Sequence, residues 1–146
     1  MEREHSAFAC LSLKERVMSP ARILVVEDEF LVADQIETIL TGAGWRVIGS
    51  AQTLASAVSL ARKSECDAAV LDVNLKGERV DEVAAILSER GIPFLFVSGY
   101  GRGNLPAAFR ESVEFLAKPF SEKMLVQTVG TLLRNKRKAR SNKKLS

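Results

Sequence analysis

Short apolar runs punctuate the chain at Ile23–Val26, Val47–Ile48, Ala68–Leu71, Phe94–Val97 and Val113–Leu116. Each is β-branched or aromatic in character and lacks the alternation of a strand with one wet face. Such runs predict strands buried on both sides, as in a parallel sheet. Between them, apolar residues recur at helical spacing. Val32, Ile36, Ile39 and Ala43 form one stripe, ended by Gly42 and Gly44. Leu54, Ala57, Val58 and Ala61 form a second behind Thr53 as N-cap, and Val80, Val83, Ala84 and Leu87 a third, closed by Gly91 and Pro93. Leu125, Val129 and Leu132 form the last, with Ser121 placed to cap it. The resulting order, βαβαβαβαβα, calls for a parallel sheet with helices on both faces and right-handed crossovers.

One unit is weak. After Val97 the chain reads Ser-Gly-Tyr-Gly-Arg-Gly-Asn-Leu-Pro, which leaves room for about two turns of helix around Ala107–Arg110. The fourth helix is therefore expected to be short or mobile. Residues 1–20 show no sustained period and stop at Pro20, so they are expected to form a flexible leader, with Met18 an alternative start. The folded domain is expected over 21–135.

Composition narrows the function classes further. With 47% hydrophobic residues in 146, the chain can build a core without staples. No apolar run approaches the roughly 20 residues of a membrane span, and the first residues make a poor signal peptide. Cytoplasm is thus expected, with Cys10 and Cys66 as thiols in a reducing compartment. The single histidine, His5, lies outside the expected fold and excludes a histidine-based metal site. The net charge of +3 is unevenly spread. Seven basic residues and no acid lie between Arg134 and Lys144; taking those seven from 21 leaves 14 against 18 acids in the body. Residues 136–146 are expected to be a disordered basic tail. No helix-turn-helix, zinc spacing or aromatic interleaving supports sequence-specific DNA binding. Too few residues follow the last helix for an output domain, so any output is expected through protein contacts.

Chemistry in a doubly wound sheet collects at the carboxyl ends of its strands. Glu27, Asp28 and Glu29 follow the first strand, Asp72 and Asn74 the third, Ser98 the fourth, and Lys118 with Pro119 the fifth. Crowded carboxylates repel and call for a cation. Magnesium suits one or two carboxylates and a phosphate oxygen. Asp28 and Asp72 can supply the carboxylates, the Asn74 carbonyl a third ligand, and Glu27 a contact through water; manganese is an acceptable substitute. Lys118 and Ser98 can then bind the phosphoryl oxygens, with Asp72 as nucleophile.

ILVVEDE (Ile23–Glu29), the Asp72 ending AAVLD, the Ser98 ending FLFVS, and FLAKPF (Phe115–Phe120) together resemble the receiver domains of two-component response regulators, over roughly Arg22 to Arg134. The resemblance implies a flavodoxin-like (βα)5 sandwich of three layers with strand order 2-1-3-4-5. It also implies an acid pair Glu27/Asp28, phosphoacceptor Asp72, switch hydroxyl Ser98, phosphate-binding Lys118, a cis peptide before Pro119 and an aromatic switch at Phe115. FVSGYG (Phe96–Gly101) looks like the FATGUY signature of small alphaproteobacterial receivers. Their partners are histidine kinases of the HWE or HisKA2 type, or phosphotransfer proteins. Tyr100 is expected to overhang the site. Ser98 stands where that signature has Thr, and VNLKGE after Asp72 lacks the usual Met-Pro, so its turn is expected to differ. A monomer is expected.

Two rivals remain at this point. A haloacid-dehalogenase-type phosphatase also phosphorylates an Asp at a strand end, but needs a second acid two residues on, where this chain has Asn74. A receiver fold that binds partners without phosphorylation is the other.

Overall fold

In a computed structural model the described residues are 19–99, 105–109 and 114–145, with side chains described as far as 135. β1 (Arg22–Val26) leads to α1 (Phe30–Gly42), β2 (Arg46–Ala51), α2 (Leu54–Lys63) and β3 (Ala68–Asp72). A two-stranded hairpin, β4 (Asn74–Leu75) and β5 (Glu78–Arg79), precedes α3 (Asp81–Glu89) and β6 (Phe94–Ser98). A single 3-10 turn (Ala107–Phe109), β7 (Glu114–Ala117) and α4 (Glu122–Leu145) complete the chain.

β2, β1, β3, β6 and β7 form one parallel sheet in that order, which is the flavodoxin-like arrangement expected once the hairpin is set aside. The alternation of strand side chains divides the core in two. Leu24, Val26, Ala69, Leu71, Phe94 and Phe96 face α2 and α3, packing with Ala57, Ala61, Val83 and Leu87. Ile23, Val25, Val70, Leu95 and Val97 face the other way, against Ile36 and Leu40 of α1 and Leu125 and Val129 of α4. Both faces of the central strands are thus dry, which is why their sequences show no polar alternation. Each of the Val, Leu, Ile and Phe side chains among them contributes about 1.5–3 kcal/mol on burial.

The local signals explain most of the boundaries. Thr53 caps α2, accepting the Ser56 amide at 3.2 Å, with the Ser56 hydroxyl reciprocating as a capping box. Ser121 accepts the Met124 amide at 3.1 Å at the start of α4. Two expectations need correction, for Ala43 and for the basic tail. Ala43 is exposed, because α1 ends at Gly42; Ala33 and Leu40 fill the buried stripe instead. The fourth helix is short, as expected from the Gly- and Pro-rich linker: among the described residues it is the single 3-10 turn. The loop after Asp72 folds back as the hairpin. The basic tail is helical backbone to Leu145 rather than disordered. From Thr131 to Leu145 there is no Gly or Pro, Lys and Arg are good helix formers, and cations suit a helix C-terminus. The expected leader (residues 1–18 of it), Tyr100 and Cys10 lie outside the described residues. No helix among the described residues is long and apolar enough to cross a membrane.

Candidate functional site

Strand register assembles the site. Val26 of β1 lies beside Leu71 of β3, so Glu27 and Asp72 follow next to one another at the carboxyl edge. Asp72 is in register with Val97 of β6, and Ser98 with Ala117 of β7, so Ser98 and Lys118 arrive one step further on. The Lys118 amide donates to the Ser98 carbonyl at 2.9 Å, locking the two strand ends together. The Lys118–Pro119 peptide is cis.

These ends open onto a cleft of about 410 Å³ lined by Asp28, Glu29, Asp72, Asn74, Ser98 and Lys118, with Lys76 and Gly77 of the hairpin turn. Within it, Lys118 Nζ lies 2.9 Å from Glu27 Oε1, 3.6 Å from Asp72 Oδ2 and 3.7 Å from Glu29 Oε1. Asp72 Oδ1 accepts the Asn74 amide at 3.3 Å, Glu27 Oε2 the Glu29 amide at 3.1 Å, and Asp28 Oδ2 the Lys76 amide at 2.9 Å.

The charges are strongly coupled. Burial, then hydrogen bonding and charge from Glu27, push the Asp72 carboxyl up to about 7, against the pull of Lys118 and the Asn74 amide. Burial alone would lower Lys118. Its contact with Glu27 and the charges of Asp72, Glu27 and Glu29 outweigh that and hold it above its ordinary value.

One ammonium does not satisfy this cluster. Glu27 Oε1 is buried and, although 2.9 Å from Lys118 Nζ, accepts no well-directed hydrogen bond. Carboxylate oxygens of Glu27, Asp28 and Asp72 lie within 4.8 Å of one another. An all-oxygen donor set with one oxygen unsatisfied fits a hard divalent cation such as magnesium.

The structure therefore brings Glu27, Asp28, Asp72, Asn74, Ser98 and Lys118 together. Glu27 is almost wholly buried (1%) and ion-paired to Lys118. Phe115 does not line the cleft; it is half-buried against the core below α2 and α3, beside Phe96. Sequence reasoning missed Glu29 as a partner of Lys118, and Lys76 and Gly77 as part of the lining. A Lys-Gly pair between two-residue strands was the available signal for the turn. Lys76 (φ 51°) and Gly77 (φ 87°) both take the left-handed conformation of a tight hairpin turn.

A doubly wound α/β domain with acids and a lysine gathered at one sheet edge defines a class, and the chain can be placed within it. Residues 23–130 match the response regulator receiver domain, and the chain belongs to that family. It is 30% identical over 111 residues to the sensory transduction protein LytT of Bacillus anthracis, covering 74% of this chain and 45% of LytT. It is 34% identical over 101 residues to the phyllosphere-induced regulator PhyR of Methylorubrum extorquens, covering 67% of this chain and 38% of PhyR. The chain thus spans about half the length, or less, of these curated relatives. The solution structure of SdrG from Sphingomonas melonis Fr1 superposes with a TM-score of 0.69 at 35% identity, covering 79% of this chain and 98% of SdrG. Receiver domains belong to two-component systems, bind magnesium through their acids and interact with histidine kinases or phosphotransfer proteins.

Proposed function

We propose that this receiver is a magnesium-dependent switch, of the FATGUY type, that accepts a phosphoryl group on Asp72. The chain works in the cytoplasm, and its donor is a sensor histidine kinase of the HWE or HisKA2 type, or a phosphotransfer protein. One observation carries this reading: the Asp72 carboxylate ends β3 in an open cleft, 3.6 Å from the Lys118 ammonium and beside the carboxylates of Glu27 and Asp28. The likeness to SdrG and PhyR supports the subtype.

Asp28, Asp72 and the Asn74 carbonyl would hold the cation, with Glu27 supporting it. Bound there, magnesium supplies charge neutralisation at the phosphoryl oxygens. The protein does the rest. An Asp72 oxygen attacks phosphorus in line; the bond from phosphorus to the donor imidazole breaks, and the imidazole keeps the electron pair. Lys118 exchanges its contact with Asp72 for one with a phosphoryl oxygen, and the Ser98 hydroxyl donates to another. Ser98 moving inward lets Phe115 repack, a two-state shift biased by the new contacts.

The phosphoaspartate persists because the position two residues after Asp72 holds an amide. Asn74 Oδ1 accepts the Gly77 amide at 3.0 Å, and an amide cannot relay a proton to attacking water. The chain therefore signals, through protein contacts or by draining phosphate from its kinase, and does not turn over substrate. Incubation with acetyl phosphate and magnesium tests this: intact mass should rise by one phosphoryl group in wild type and not in Asp72→Asn. Absence of the gain in wild type would favour a partner-binding role without phosphorylation.

A further inference from the structure

Asp28, Glu29 and Asp72 line the cleft, with Glu27 buried beside them, whereas a phosphodonor arrives as an anion. Lys118 is half-buried and committed to Glu27, Asp72 and Glu29. The other cationic residue of the lining is Lys76, which is exposed and makes no ion pair among the described residues. It occupies a left-handed position (φ 51°) that disfavours a long side chain and suits Asn or Gly. The turn that presents it is pinned from several sides. The Lys76 amide donates to Asp28 Oδ2 at 2.9 Å, the Gly77 amide to Asn74 Oδ1 at 3.0 Å, and the Val80 amide to the Val73 carbonyl at 3.2 Å. Leu75, only 1% exposed, roots the hairpin in the core.

We infer that Lys76 is a positioning residue for anionic phosphodonors: an exposed charge on a pinned turn that draws the donor's phosphoryl group past the acids to Asp72. This role rests on Asp72 being the phosphoacceptor. Its side chain acts by field, while its backbone amide independently holds Asp28 in place. A substitution at 76 therefore removes the charge and leaves the Asp28 hydrogen bond intact. In the step it serves, an Asp72 oxygen bonds to phosphorus as the bond from phosphorus to the acetyl oxygen of acetyl phosphate breaks, and acetate leaves with the electron pair.

The test is the initial rate of labelling by acetyl phosphate with magnesium, at low and high ionic strength, in wild type, Lys76→Gln and Lys76→Arg. Lys76→Gln should be about three- to tenfold slower at low salt, with the gap closing as salt screens the field. Lys76→Arg should restore the rate, and NMR titration should show magnesium binding not weakened in Lys76→Gln. Equal rates and salt dependence in wild type and Lys76→Gln would overturn the inference, as would a slow rate traced to weaker magnesium binding. Failure to label wild type at all would overturn the phosphoacceptor reading, and this role with it.

Discussion

Lys118 Nζ sits 2.9 Å from Glu27 Oε1, so the cation closest to the predicted phosphoacceptor is paired first with a neighbouring acid. Glu27 is nearly fully buried, whereas about a fifth of the Lys118 side chain remains exposed. Removing the lysine strands a buried carboxylate. Lys118→Ala should lower the unfolding free energy by about 2–3 kcal/mol, and urea denaturation measures it. An unchanged midpoint would show that Glu27 finds compensation elsewhere.

Asp72 gives a pH signature. Its folded pKa of about 7 lies above the ordinary 3.8, so the native state binds the proton more tightly than the unfolded chain. Its contribution is fully present below about 4 and is lost as pH rises through about 7. Without magnesium, thermal stability should therefore decline across that window. In Asp72→Asn the decline should be shallower and the melting temperature at pH 8 higher than wild type. Magnesium favours the ionised carboxyl, so adding it should raise the wild-type melting temperature at pH 8 more than at pH 5.

The hairpin turn depends on Gly77, whose φ of 87° penalises any Cβ although the space around it is open. Gly77→Ala should cost about 1 kcal/mol. It should also speed hydrogen exchange of the Lys76 amide that holds Asp28, measurable by NMR. Unaltered exchange would mean that the turn tolerates the side chain.

Phe109 anchors the segment beyond the fourth core strand. Its ring meets Phe94 edge-on at 5.5 Å between centroids and leans on Phe96 at 6.2 Å. Phe109→Ala should destabilise by about 2–3 kcal/mol, less than a wholly buried Phe because the ring is half-buried. The urea midpoint should fall without a change in slope.

Much of this architecture is legible in the residues because the physics is local or periodic. Ile23–Val26 and Ala68–Leu71 announce strands with two dry faces, and Thr53 and Ser121 announce helix starts. The polar residues that end those runs are the ones that meet in the cleft. What stays hidden depends on tertiary placement. Glu27 reads as a supporting acid of the cation site, and only the strand register reveals it as the buried partner of Lys118. Lys76 at a left-handed turn position goes against propensity, so the hairpin is overlooked although Lys-Gly marks it. The extended α4 is masked by its charge, since a run of seven basic residues suggests a disordered tail although nothing in its composition breaks a helix. Phe109 carries no periodic signal; its role appears only when the 3-10 turn folds over Phe94 and Phe96.

The central claim is that Asp72 is the residue phosphorylated. Borohydride reduces an acyl phosphate to the alcohol, so trapping after acetyl phosphate and magnesium treatment leaves homoserine at the modified position, which tandem mass spectrometry of the peptides locates. Homoserine at position 72 alone, and none without magnesium, is the predicted result. Homoserine at another acid, or an unmodified Asp72 in protein that has gained a phosphoryl group, would contradict it.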